Sequence, residues 1–266
     1  MSARRLLVAF FVILAIGARS LPAQTIASWE MPVGFPNGAG NIPTGTSYVM
    51  PNISTAGTTS GQQWPALPAA PYPNGTPTFG TLTGNSAAIL SSVHALAATL
   101  YTSPAGNGSP YSFSSNNWSP GDYYQVVLPT LGQPPAGQTN LSVSWDQARS
   151  STGPAAFKVQ MSTDGTNFTD LTTYTVLQSG GGGSPGTWSS TIPNSLYTNT
   201  FALPETAENQ ASLTLRFTNI EALASSSSGS NRIDNIAVTA VPEPSSLALV
   251  GLGIGLGGTL LRRREA

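Results

Sequence analysis

Apolar and polar positions alternate over residues 123–128 (YYQVVL), 141–145 (LSVSW) and 157–161 (FKVQM), and residues 213–217 (LTLRF) and 233–238 (IDNIAV) supply two more candidate strands. A period of two sends successive side chains to opposite faces of an extended chain. Each segment therefore predicts a half-buried strand, with Val126, Leu128, Val143, Trp145, Val159, Met161, Leu215 and Phe217 on the buried faces. Between two of these segments, Asp164-Gly165 stands where a hairpin turn needs positive φ, and residues 168–176 can return antiparallel. Residues 87–100 fit a helical spacing (Ile89, Val93, Leu96, Leu100) and an alternation (Ile89, Ser91, Val93, Ala95), and the β character of the surrounding chain favours a strand. Residues 32–85 are rich in Pro, Gly, Asn and Thr and predict long loops carrying short strands. The pattern predicts an all-β fold, a single antiparallel β-sandwich over residues 24–241.

Two longer apolar runs break this pattern, one at each end. Arg4 and Arg5 precede the run 6–16, which leads to the small-residue stretch Leu21-Pro22-Ala23. That is the layout of a secretory signal peptide over residues 1–23, with cleavage after Ala23. As a helix the run reaches only about 16 Å, too short for an ordinary membrane span. At the other end Pro242, Glu243 and Pro244 lead into residues 247–261 (LALVGLGIGLGGTLL) and then Arg262, Arg263 and Arg264. Two prolines two apart end a strand. The apolar run is roughly 22 Å long as a helix, a short transmembrane helix that relies on local bilayer thinning. Its Arg cluster stays on the cytoplasmic side and leaves the body outside. The chain thus divides into 1–23, 24–241 and 242–266.

Composition narrows the chemistry. Charged residues make up 8% of the chain, against about 25% in a typical soluble domain. Ser and Thr together number 63, with 28 Gly and 22 Pro, which suits strands and turns. The absence of Cys excludes disulfides, thiol nucleophiles and zinc knuckles. Between residues 24 and 241, four basic side chains face nine acidic ones, a net charge of −5. That sign argues against a nucleic-acid partner.

The order Pro242-Glu243-Pro244, glycine-rich apolar helix, Arg262-Arg263-Arg264 resembles the PEP-CTERM sorting signal of Gram-negative bacteria. The resemblance implies export, transient anchoring in the inner membrane through the C-terminal helix, and processing by exosortase after signal peptidase has acted. It places the product at the cell surface or in the extracellular matrix of organisms that make extracellular polysaccharide. In the body, Trp29-Glu30, residues 104–125 (PAGNGSPYSFSSNNWSPGDYYQ), 150–154 (SSTGP), 157–168 (FKVQMSTDGTNF) and 231–238 (NRIDNIAV) resemble extracellular jelly-roll modules. What this implies is a jelly-roll-like, lectin-like sandwich with no general assigned activity.

The acid–base candidates are Glu30, Asp122, Asp146, Asp164, Asp170, Glu205, Glu208, Glu221, Asp234 and His94. No pair declares itself as the two carboxylates that a glycosidase sets about 5 to 9.5 Å apart. Structural roles are expected instead: Asp164 and Asp122 in turns, Asp234 on loop backbone, and His94 packed. No catalytic residue and no cofactor is expected. The one metal the residues suggest is a structural calcium near Asp234 and Asn235. Trp64, Trp118 and Trp188 fall in loop-like contexts where a ring can stack on sugar, and the Gly/Ser runs 179–184 and 225–230 read as flexible surface loops. The chain therefore reads as a non-enzymatic exported protein associated with exopolysaccharide. A non-catalytic carbohydrate-binding module and a polysaccharide hydrolase are the alternatives, separated by aromatics lining a groove or by two carboxylates in a pocket.

Overall fold

The computed structural model describes residues 24–29, 89–95, 101–131 and 138–242, with short strand segments at 48–49, 54–55, 58–59, 63–64 and 78–80. The signal segment with Ala23 lies outside the described residues. So do Glu30, the side chain of Trp64, the sorting residues Glu243, Pro244, Arg262, Arg263 and Arg264, and the apolar run they flank. Among the described residues no helix is long and apolar enough to cross a membrane.

The strands are β1 (Gln24–Trp29), β2 (Tyr48–Val49), β3 (Ser54–Thr55), β4 (Thr58–Thr59), β5 (Gln63–Trp64), β6 (Thr78–Gly80), β7 (Ile89–Val93), β8 (Tyr101–Thr102) and β9 (Phe113–Asn116). Then follow β10 (Tyr123–Leu128), β11 (Gln138–Arg149), β12 (Ala156–Ser162), β13 (Thr169–Thr175), β14 (Leu177–Gln178), β15 (Thr198–Ala202), β16 (Leu213–Asn219) and β17 (Ser230–Pro242). One sheet runs β14-β11-β17-β9-β8, with β1 also on β17 and β15 also on β11. The other runs β13-β12-β16-β10-β7-β6. Pairing is antiparallel except for the short β11–β14 contact, and the whole is a two-sheet β-sandwich.

Alternation explains the packing. In β10 and β12 every second residue is buried, and in β16 Leu213, Leu215 and Phe217 turn inward. All eight residues assigned to the buried faces from sequence are in the core. The two layers interlock through aromatics: the Trp145 ring lies 4.8 Å from Phe217 and 5.1 Å from Tyr174, and Phe113 lies 5.4 Å from Tyr124. Such pairs add to the area they bury. A satisfied polar seam runs beside them. Tyr174 Oη and Trp145 Nε1 both donate to Gln147 Oε1, and Gln147 Nε2 donates to Asn231 Oδ1 at 2.8 Å. Buried polar groups paired in this way fix one arrangement of the core.

The hairpin after β12 forms as its Asp-Gly pair predicts. Gly165 has φ +73, and the Asp164 carboxylate accepts the Thr166 and Asn167 amides at 2.8 Å. The Asn167 side chain, which donates from Nδ2 at 2.7 Å, together with those amides holds the Asp164 pKa far below the usual carboxylate range.

Strand β17 organises the first sheet. On one side it pairs with β11 over nearly its full length, and on the other it pairs first with β9 and then with β1. The changeover coincides with a bulge. Ser144 faces Ala237 but Asp146 faces Asp234, so β17 contributes one more residue than β11. Asn235 absorbs that residue at φ +45, a conformation Asn tolerates. Pairing with β9 stops at Ile233 and pairing with β1 starts at Ile236. The loop 104–112 comes in at this break.

Candidate functional site

Three places gather the chemistry-bearing side chains. The first is a surface groove of about 500 Å³ lined by Ser179, Gly180, Ser184, Pro185, Gly186, Thr187, Trp188 and Arg232. Its floor comes from β17, which presents Arg232, and its rim from the Gly/Ser loop after β14. That loop is a surface loop as its composition suggests, but hydrogen bonds tether it. Tyr197 Oη donates to the Gly186 carbonyl at 2.8 Å and contacts Ser184 Oγ at 3.1 Å, and the Ser179 amide donates to the Arg149 carbonyl. A Cβ at Gly186 would sit 2.4 Å from Asn194 Nδ2, so a side chain there would displace that amide. Trp188 is half-buried; its Nε1 donates to the Ala105 carbonyl at 2.7 Å and its ring meets Tyr197 edge-on at 5.3 Å. The Arg232 guanidinium lies 5.5 Å from the Trp188 ring centre and donates from Nη2 to Ser179 Oγ. Burial lowers the Arg232 pKa.

The second place is the β17 bulge. Register puts Asp146 directly opposite Asp234, although 87 residues separate them in sequence. Asp146 accepts from Thr198 Oγ1 at 2.6 Å, Asn107 Nδ2 at 3.0 Å and Asn235 Nδ2 at 2.8 Å. Asp234 Oδ2 accepts the Asn107 amide at 2.9 Å and the Ser109 hydroxyl, while its buried Oδ1 makes no hydrogen bond. Burial, with Asp146 beside it, pushes the Asp234 pKa up to about 7. Gly106 lets the loop press this close, since a Cβ there would be 2.3 Å from Asp234 Oδ2. The expected bonding of Asp234 to loop backbone is present. The expected companions Asp234 and Asn235 do share one oxygen-rich cluster, and its unpartnered carboxylate oxygen is the kind of donor a hard cation takes. Among the described residues no group of three or more His, Cys, Asp or Glu side chains gathers, so a cation there would also draw on carbonyl oxygens.

The third place is buried between the sheets. His94 Nδ1 lies 3.2 Å from Asp122 Oδ2, and His94 Nε2 lies 3.0 Å from Ser92 Oγ. The order of contacts is Ser-His-Asp, which no sequence spacing announced. Ser92 lies on β7 and His94 is the first residue after it; both are 0% exposed, with the Trp118 ring 4.3 Å from His94. An acyl-transfer site needs its nucleophile open to substrate, and Ser92 faces aromatic packing instead. Asp122 also accepts the Ser119 and Ala95 amides, so it closes a turn from inside.

The remaining candidates are dispersed. Asp170 pairs with Lys158 at 3.0 Å on the exposed face of β12 and β13. Glu221 accepts the Ala155 and Ala156 amides, which lower its pKa, and Glu208 accepts the Asn140 amide. Glu205 opens the short 3-10 turn Glu205–Ala207. Of the loop tryptophans, Trp118 is fully buried, its Nε1 donating to the Ser115 carbonyl, and Trp188 alone lines the groove among the described residues.

Three relationships to known proteins bear on this picture. Residues 240–264 match the PEP-CTERM protein-sorting motif, so the motif begins inside the last turn of pairing of β17, and it implies export and processing by exosortase at the cell surface. No curated protein matches the chain. Among solved structures, the K1 cleaved adhesin domain of Lys-gingipain from Porphyromonas gingivalis W83 shares 13% identity over 82% of this chain and 98% of its own, with a TM-score of 0.37. The CBM22-1 xylan-binding domain of Paenibacillus barcinonensis Xyn10C shares 10% identity over 84% and 99%, with a TM-score of 0.35. The CBM22-1-GH10 modules of Clostridium thermocellum xylanase 10B share 17% identity over 55% of this chain, with a TM-score of 0.35, and the match spans a quarter of that structure. What the chain carries, then, is a PEP-CTERM sorting motif joined to a two-sheet β-sandwich.

Proposed function

We propose that this chain is a non-enzymatic protein of the cell surface or extracellular matrix, sorted by exosortase, whose sandwich holds extracellular polysaccharide. The observation that carries the reading is the sorting motif at residues 240–264, fused without a linker to β17. The groove at Trp188 supports the polysaccharide contact, because an amphipathic ring beside hydroxyls and backbone amides is a surface on which sugars stack and hydrogen-bond. What supports a binding role over a hydrolytic one is that no carboxylate is among the groove-lining residues, while Asp146 and Asp234 meet inside the protein. To the Asp146–Asp234 pair the same reading assigns a structural calcium ion, bound with loop carbonyls.

The address is tested in a host with an active exosortase. The unaltered chain should appear at the surface without residues 1–23 and without its apolar tail. A variant with Pro242, Glu243 and Pro244 all changed to Ala should stay full-length behind Ala23 in the membrane fraction. Equal processing of the two chains overturns the sorting assignment. Incubation with matrix polysaccharide should retain the polymer and release no reducing ends; a release abolished by Asp146→Asn or Asp234→Asn would promote the hydrolase alternative.

A further inference from the structure

We propose that the Trp188–Arg232 groove selects acidic polysaccharide, with Arg232 pairing a uronate carboxylate while Trp188 covers the sugar ring. The inference rests on the polysaccharide-binding reading and deepens it by naming the substrate's charge. Arg232 is the observation that demands an anion. It rises from the interior strand β17, opposite Ala148 on one side and Ser114 on the other. Its single side-chain partner among the described residues is the Ser179 hydroxyl, and no carboxylate stands within ion-pair distance of it among them. A guanidinium has five N–H donors in a planar fork, and among the described residues one hydrogen bond, to Ser179 Oγ, engages it at the groove it lines. Partial burial of an unpaired charge is costly, and a bidentate carboxylate is the partner that best offsets it.

The surroundings sharpen the choice. The Trp188 ring sits beside the guanidinium rather than across the molecule, so one pyranose carrying a carboxylate can meet both. The rim supplies Ser179, Ser184 and Thr187 hydroxyls and the backbone of Gly180 and Gly186, groups that hydrogen-bond sugar hydroxyls without adding charge. Gly180 has open space where a side chain would stand, which leaves the mouth unobstructed. The body's net charge of −5 repels a polyanion at long range. Attraction to an acidic polymer therefore has to come from a local site, and general electrostatics cannot imitate it.

The test uses the full chain in mild detergent and measures retention by affinity electrophoresis in polygalacturonate and in the same polymer after carboxyl reduction. Reduction removes the charge and keeps the chain of sugars. Retention should be at least tenfold stronger in the acidic polymer. Arg232→Gln should abolish the preference and Trp188→Ala should weaken retention in both polymers. Since Arg232 lies within a sheet, Thr187→Asp supplies a second route: it sets a carboxylate on an exposed rim position, and the preference should vanish with folding untouched. Equal retention in both polymers overturns the acidic selection and leaves polysaccharide binding standing. Retention in neither, with or without calcium, overturns both. A preference that survives Arg232→Gln and Thr187→Asp places it elsewhere and overturns this site.

Discussion

Two buried carboxylates, Asp122 and Asp234, differ in what surrounds them and hence in what they require. Both are almost fully covered, at 4% and 1% exposure. Asp122 receives two backbone amides and lies against the His94 imidazole. Asp234 receives one amide and one hydroxyl on a single oxygen, faces the second carboxylate of Asp146, and has a bare Oδ1. At Asp234, burial and the neighbouring carboxylate push the same way, and the donors gathered on one oxygen do not offset them. The first site is closed by the chain itself, and the second is left for a proton or a cation.

The largest effect should come from opening the closed site. Asp122→Ala leaves two backbone amides without their acceptor and opens space beside the buried His94 ring, and should cost about 2–5 kcal/mol in denaturant unfolding. A loss under about 1 kcal/mol would show that solvent reaches the pocket and would erase the contrast between the two acids. Next comes the pH response of Asp234, measured in EDTA. Its folded pKa of about 7 stands above the unfolded value of 3.8, so the folded state favours the protonated form. Stability should be full below pH 4 and fall as pH rises through 7, by about 4 kcal/mol from this residue. Asp234→Asn should remove that part of the slope; an unchanged slope assigns it to another group.

Calcium should act in the opposite direction at the same place. At pH 8, free calcium at about a hundredfold its dissociation constant should restore roughly 2.7 kcal/mol, and Asp234→Asn should abolish the gain. Identical unfolding midpoints in calcium and EDTA leave the cluster to the proton alone. The smallest change is Thr198→Val, which withdraws one hydroxyl from Asp146 Oδ1. It should cost about 1–2 kcal/mol, read as a shift in the urea midpoint. An unchanged midpoint would show that the hydroxyl is replaced by solvent and holds nothing in place.

The strands that alternate cleanly were legible because their inward positions are apolar. β9 was not, because Ser114 and Ser115 are buried as polar residues: Ser115 Oγ contacts Tyr124 Oη and Ser114 Oγ donates to the Asn231 carbonyl. Polar residues that find partners inside leave no hydrophobic period. β15 escaped for the opposite reason, lying at an edge with exposed Thr198, Thr200 and Ala202. Trp118 read as a loop residue because Ser, Asn and Pro surround it, and only the packing of its ring on Tyr124 and Phe157 reveals it as core. For the sites, Trp188 could be singled out by residue type. Arg232 could not, since its meaning lies in the carboxylate it lacks. The meeting of Asp146 with Asp234 depends on a register set by the bulge at Asn235, which has no local signature.

The pairing of Gln24 with Ala240 sets the two ends of the body side by side, where the segment 1–23 ends and the sorting motif begins. Any pull on the sorting tail enters the protein along β17, which is flanked by β11 on one side and by β1 on the other. A strand drawn along its own axis between two antiparallel neighbours must break its ladder bonds together, whereas one peeled from an edge breaks them in turn. A load entering at that end is therefore carried by the sheet as shear.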